Sequence, residues 1–150
     1  MYKNKFTDLE TSVTPKELKE ILAPFDFIIP AELQKHILTL NGGEPERCLC
    51  IVNDRIFVVQ NFLPVKYSSS SAVRFEDVLS QLKGRQPIIP SHLIPFAIDP
   101  GGDFFCISNS EKDFGEIFFY RGEYSDDPRR AVSFLAPSLE QFVENLAPDD

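Results

Sequence analysis

The stretch IPSHLIPFAIDPGGDFFCIS, residues 89–108, decides the fold of this chain. It contains two apolar runs, 96–98 and 104–107, separated by Asp-Pro-Gly-Gly-Asp. Proline presets φ for a turn, glycine accepts a positive φ, and aspartate bonds backbone groups two residues further on. The stretch therefore predicts a buried strand, a tight turn and a second buried strand.

Two helices are predicted before this stretch. A capping box at Thr14-Pro15-Lys16-Glu17 begins the first helix, which we expect over about 15–23. The second follows Pro30 and is expected to end at Asn41-Gly42-Gly43, residue types that close helices in the left-handed conformation. His36 lies beside the apolar stripe of this helix, outside any ligand spacing, so we expect it at the surface or its boundary.

The rest of the chain predicts mostly strands joined by short turns. Polar residues 44–47 predict a turn, and two β-rich runs joined by Asn53-Asp54-Arg55 predict an antiparallel hairpin. A helix is expected to stop at Gly84. Further along we expect a polar turn at 109–115, a strand at 116–120 and a charged loop at 121–130. An extended run at 131–135 and a helix that begins at Ser138 follow.

Strands connected this way are antiparallel, so the fold class is α+β. We expect residues 1–13 to be an N-terminal extension and residues 14–150 to form a single domain. With 43% hydrophobic and 25% charged residues, the chain has the composition of a globular protein. It lacks an apolar run long enough for a membrane span or a signal peptide, so a cytoplasmic protein is expected.

The negative charge of the chain is concentrated in its last third. The net charge is −8, and residues 101–150 carry 4 basic and 11 acidic side chains. Nucleic-acid binding needs a basic surface that displaces counterions, so this class of function is disfavoured. A basic protein partner is compatible with the charge, because a negative patch speeds encounter; acidity that only confers solubility is the alternative.

The sequence contains no pattern typical of an enzyme or a metal site. It lacks a nucleophile elbow, phosphate-binding glycine loops and an H-E-x-x-H motif. Asp99 and Asp103 flank the glycines without the ligand pattern of a calcium loop, which favours turn stabilisation. Cys48, Cys50 and Cys106 lack the paired spacing of a zinc site and are expected to be buried thiols. We therefore expect no catalytic residue, metal or cofactor.

Three landmarks occur in an order that resembles the SUKH superfamily, which includes the fungal Smi/Knr cell-wall regulators and many bacterial immunity proteins. The landmarks are Ile29-Pro30 with its helix ending in Asn-Gly-Gly, the run 93–103, and Gly115-Glu116-Ile117 followed by the closing helix. The resemblance covers about residues 14–147. The turns that carry the family motif are Asn41, Gly42, Gly43, Asp99, Gly101, Gly102 and Asp103.

The resemblance implies an α+β fold with a mixed, largely antiparallel sheet flanked by helices. It also implies a protein without catalysis that binds other proteins. Our leading hypothesis is an immunity protein that neutralises a cognate toxin with a basic surface by occluding the functional surface of that toxin. A scaffold or regulatory module of the Smi/Knr type is the alternative, and a small-molecule or hydrolytic site beside the Asp99–Asp103 turn is a third. The expected partner-binding residues are Asp103, Glu111, Asp113, Glu116, Tyr120, Glu123, Tyr124, Asp126 and Asp127.

Overall fold

The computed structural model describes residues 2–83 and 88–150, so the expected helix stop at Gly84 lies outside the described residues. The described strands are β1 Phe6–Leu9, β2 Gly42–Pro45, β3 Leu49–Val52, β4 Arg55–Val58, β5 Asn61–Phe62, β6 Leu93–Ile98, β7 Phe104–Ser108, β8 Ile117–Tyr120 and β9 Val132–Ala136. The described helices are α1 Pro15–Leu22, α2 Ala31–Thr39, α3 Phe75–Leu82, α4 Pro128–Ala131 and α5 Leu139–Glu144.

The main sheet has the strand order β5-β6-β7-β8-β9, and two further pairs, β1-β2 and β3-β4, stand beside it. Every strand pairing among the described residues is antiparallel. The α+β class is confirmed. The parallel pairing that a mixed sheet would need is not found in the described part of the chain.

The turn between β6 and β7 is closed by Asp99, as the sequence predicted. Its Oδ1 accepts a hydrogen bond from the Asp103 amide at 2.8 Å, and its carbonyl accepts one from the Gly102 amide at 3.1 Å. Gly102 has φ +93°, a conformation that glycine adopts at no steric cost. The strands that leave the turn are central in the sheet, and Phe105 and Ile107 are fully buried.

Phenylalanine rings form the centre of the core on one face of the sheet. Phe105 lies 5.0 Å from Phe119 and 5.5 Å from Phe142 of α5, measured between ring centroids. Phe57 of the β3-β4 hairpin packs 5.0 Å from Phe119. A smaller cluster covers the other face and is made of Ile89, Leu93, Cys106, Tyr120 and Ala131.

Residues 2–9, part of the predicted N-terminal extension, pack against the rest of the chain. β1 pairs with β2, and the buried Asn4 side chain donates to the Arg47 and Val143 carbonyls at 2.8 and 3.0 Å. The predicted polar turn at 44–47 is therefore wrong over its first half, because a strand from the N-terminus supplies a pairing partner that no local pattern reveals.

The Asn-Gly-Gly motif has the positive φ that the sequence predicted, +69° at Gly42 and +87° at Gly43, but it does not end a helix, because α2 ends at Thr39 and both glycines lie in β2. It also permits close approach of the backbone. A Cβ at Gly43 would lie 2.9 Å from the Thr7 carbonyl oxygen of β1, and one at Gly42 would lie 3.0 Å from Cβ of Pro64. Glycine is needed here both for the conformation and for strand pairing.

The expectation that His36 lies at the surface is wrong, since only 1% of this residue is exposed. Its ring stacks on Phe62 at 4.7 Å, and the Tyr2 hydroxyl is hydrogen-bonded to its Nδ1 at 2.8 Å. The covering residues Tyr2 and Phe6 come from the N-terminal segment, which the pattern of α2 alone cannot reveal.

Candidate partner-binding surface

The residues expected to bind a partner do not form one cluster. β7 and β8 pair antiparallel, with Phe104 opposite Tyr120 at one end and Ile107 opposite Ile117 at the other. A five-residue strand spans about 14 Å. The residues that precede β7 and follow β8 therefore lie at one end of the sheet, while those between β7 and β8 lie at the other.

We call the first group the turn end, residues 99–103 and 121–127, and its carboxylates are used largely within the fold. Asp103 accepts a hydrogen bond from the Gly122 amide at 3.0 Å, and Asp127 caps α4 by accepting from the Arg129 amide at 3.2 Å. Burial raises the pKa of Asp103, and the negative charges of Asp99 and Glu123 raise it further, against the hydrogen bond from Gly122.

Two aromatic residues beside the turn end differ in accessibility. Tyr120 is 2% exposed, and its hydroxyl donates to the Ile88 carbonyl at 3.0 Å. It packs in the smaller core cluster, so, contrary to our expectation of a partner-binding residue, its side chain is not accessible to a partner. Tyr124 is half-buried, with the guanidinium of Arg130 3.9 Å from its ring centroid.

The second group is the acidic loop, residues 109–116. Ser108 fixes its ends, because its Oγ donates to Asp113 and its carbonyl accepts from the Gly115 amide at 2.9 Å. Glu111 is exposed, and Asp113 and Glu116 are half-buried. Phe114 is 56% exposed in the middle of these carboxylates.

A second exposed apolar side chain lies on the segment beside the acidic loop. The Asn109 side chain donates to the Ile28 carbonyl at 3.4 Å, which joins the loop to the residues before α2. Ile28 is 81% exposed, and Asp26 nearby in the chain is also exposed. We define the acidic surface as Asp26, Ile28, Glu111, Asp113, Phe114 and Glu116.

From the sequence we expected Glu111, Asp113 and Glu116 of this surface but missed Asp26, Phe114 and Ile28. The sequence signal that was available is Phe114 itself, because it is a phenylalanine within residues 109–115, which are otherwise typical of a polar turn. An exposed aromatic side chain fits the role of an anchor at a protein interface, where aromatic residues contribute much of the binding energy.

Other kinds of site find less support in the described structure. A cleft of about 610 Å³ lies between β1, β2, β5 and residues 69–73, and neither Asp99 nor Asp103 lines it. Burial raises the pKa of the Cys50 thiol to about 11, which makes it a poor nucleophile. Residues 2–83 and 88–150 contain no group of three or more His, Cys, Asp or Glu placed to hold a metal ion. Nor do they contain a helix of the length and hydropathy needed to span a membrane.

The chain is a small α+β domain with an exposed acidic surface. The model of the SMI1 / KNR4 family (SUKH-1) matches residues 12–145, and the chain belongs to this family. The SUKH resemblance of the sequence motifs is thereby confirmed. A comparison with curated proteins finds no match. Family membership supports a protein-binding role of the immunity or the Smi/Knr type, in a family that is generally non-enzymatic.

Proposed function

We propose that this chain is an immunity protein that binds a cognate toxin in the cytoplasm and neutralises it by covering the functional surface of the toxin. The observation that carries the proposal is Phe114, more than half exposed within an acidic loop of a SUKH-family domain. The concentration of acidic side chains in the last third of the chain supports a basic partner.

The two kinds of side chain on the acidic surface have different tasks in this proposal. Removing the exposed part of Phe114 and Ile28 from water contributes binding energy, on the order of 1–2 kcal/mol for each side chain. Glu111 and Glu116 raise the rate of encounter with a basic toxin, an effect that salt screens. A toxin held here is inactive if its substrate-binding surface faces the acidic surface.

Co-expression with a toxin encoded next to this chain tests the proposal. The wild-type chain should restore growth and co-purify with the toxin. Phe114→Ala should weaken the complex about tenfold to thirtyfold, mostly through faster dissociation, since an aromatic anchor is lost. Glu111→Lys should slow association, and the slowing should diminish at high salt.

Matched controls come from exposed residues elsewhere in the fold. Ile51→Ala removes an apolar side chain that is 57% exposed on the β3-β4 hairpin, and Glu20→Lys reverses an exposed charge on α1. Both variants should bind and protect like wild type. No rescue and no complex would contradict the proposal, and capture of a resident housekeeping protein without the toxin would favour the regulatory alternative.

A further inference from the structure

Two arginine side chains converge on one hydroxyl group at the edge of the main sheet. Nη1 of Arg121 lies 3.0 Å from Ser133 Oγ, and Nη1 of Arg55 lies 3.4 Å from the same oxygen. Both guanidinium groups also lie over the ring of Phe57, at 5.3 and 5.2 Å from its centroid. We call Arg55, Arg121 and Ser133 the arginine pair site.

The positive charges of this site are not neutralised within the described chain. In residues 2–83 and 88–150, the ion pairs within 4.0 Å are Arg47–Glu144, Lys66–Glu17 and Arg74–Asp77. The face of an aromatic ring attracts a guanidinium but has no net charge, so the two arginines still repel each other. The Ser133 hydroxyl accepts from both and keeps its own proton to donate. This arrangement is complementary to a carboxylate.

The arginine pair site lies on a strand that pairs on one side only. β9 is the last strand of the main sheet and pairs with β8, and no other described strand pairs with it. Ser133 is opposite Phe119 and Phe134 is opposite Phe118, so these neighbours on β9 point to opposite faces. Phe134 is 49% exposed. An unpaired edge of this kind is a template for another strand.

We propose that β9 binds an extended segment of a partner protein as an added strand, with an acidic side chain of that segment opposite Ser133. The carboxylate would be held by Arg55 and Arg121, which form planar, charge-assisted hydrogen bonds with such groups. The residues on either side of the acidic one point to the opposite face, where apolar side chains contact Phe134. Main-chain hydrogen bonds supply affinity and the carboxylate supplies specificity.

The arginine pair site differs from the acidic surface in the charge that it selects. It binds an acidic partner segment, whereas the acidic surface binds a basic partner. The inference therefore holds whether or not the chain neutralises a toxin. A segment with the pattern apolar-acidic-apolar is the chemistry that this edge recognises.

Titration of the full-length chain with two capped peptides, Thr-Val-Glu-Val-Thr and Thr-Val-Gln-Val-Thr, tests the inference. Amide chemical shifts should move in β9, and the glutamate peptide should bind at least tenfold more tightly than the glutamine peptide. Arg55→Gln should remove most of that difference. Lys112→Gln, which removes an exposed positive charge in the acidic loop, should leave it unchanged.

Ser133→Asp gives a second variant that keeps both arginines packed. Its carboxylate would occupy the site, so the glutamate peptide should lose at least tenfold in affinity while the fold is retained. Equal affinity for the two peptides, or shifts that avoid β9, would overturn the inference. Binding of inorganic phosphate at the arginines without any binding of the glutamate peptide would also overturn it, because the site would then hold free anions.

Discussion

Replacing Asn41 with alanine should lower the free energy of unfolding by about 3–5 kcal/mol, the largest effect that we expect from one substitution. The side chain is 3% exposed and makes three hydrogen bonds. Its Nδ2 donates to the Thr11 and Val65 carbonyls at 2.7 and 2.9 Å, and its Oδ1 accepts from the Val65 amide at 2.7 Å. Alanine leaves all three backbone groups without this partner, and Val65 itself is fully buried.

Urea denaturation of wild type, Asn41→Ala and Asn145→Ala measures this effect. Asn145 is exposed at the end of α5, so its replacement should change stability by less than about 0.5 kcal/mol. A loss at Asn41 no greater than that at Asn145 would show that the Asn-Gly-Gly motif serves a purpose other than joining the segment between β1 and α1 to the segment after β5.

Acidification from pH 7 to pH 5 should remove about 2 kcal/mol of stability through His36 alone. Burial lowers the pKa of His36 to about 4 in the folded protein, against about 6.5 in the unfolded chain. Between these values the unfolded chain binds the additional proton, so acid favours unfolding. The contribution is fully present above pH 6.5 and is lost as the pH falls through about 4.

His36→Phe should abolish this part of the pH dependence, because phenylalanine does not titrate. The quantity to compare is the change in unfolding free energy between pH 7 and pH 5, whatever the stability of the variant at pH 7. His92→Gln leaves His36 in place and should keep the loss seen in wild type. Equal pH dependence in wild type and His36→Phe would rule out the buried imidazole as its source.

The elements that were predicted correctly are those whose determinants lie close together in sequence. The capping box of α1 makes both of its hydrogen bonds, between Thr14 and Glu17. Asn53 and Asp54 adopt φ +51° and +65° in the two-residue turn between β3 and β4, which fixes that hairpin. Local chemistry sufficed because each of these motifs supplies its own partner groups.

The elements that were mispredicted depend on distant parts of the chain. β2 exists because residues 6–9 pair with it, and His36 is buried because Tyr2 and Phe6 cover it. We expected Tyr120 among the partner-binding residues because the sequence of an apolar strand gives no indication that both of its faces are covered. Its second face is closed by the cluster around Ile89 and Ala131.

The candidate site was predictable in charge but not in arrangement. The acidic residues of the last third are on the surface or at its boundary, yet the antiparallel register of β7 and β8 divides them between two ends of the sheet. Composition contains no information about register. The segment that contains Ile28 is joined to the acidic loop by the hydrogen bond from Asn109, a residue 81 positions away, and no sequence motif predicts this contact.

Photo-crosslinking from position 114 tests the central claim, that the acidic surface binds the toxin. A benzophenone side chain replaces Phe114 in one variant and Ile51 in another, and each variant is irradiated with the co-expressed toxin. We expect a crosslink to the toxin from position 114 and none from position 51. A crosslink from position 51 but not from position 114 would contradict this claim.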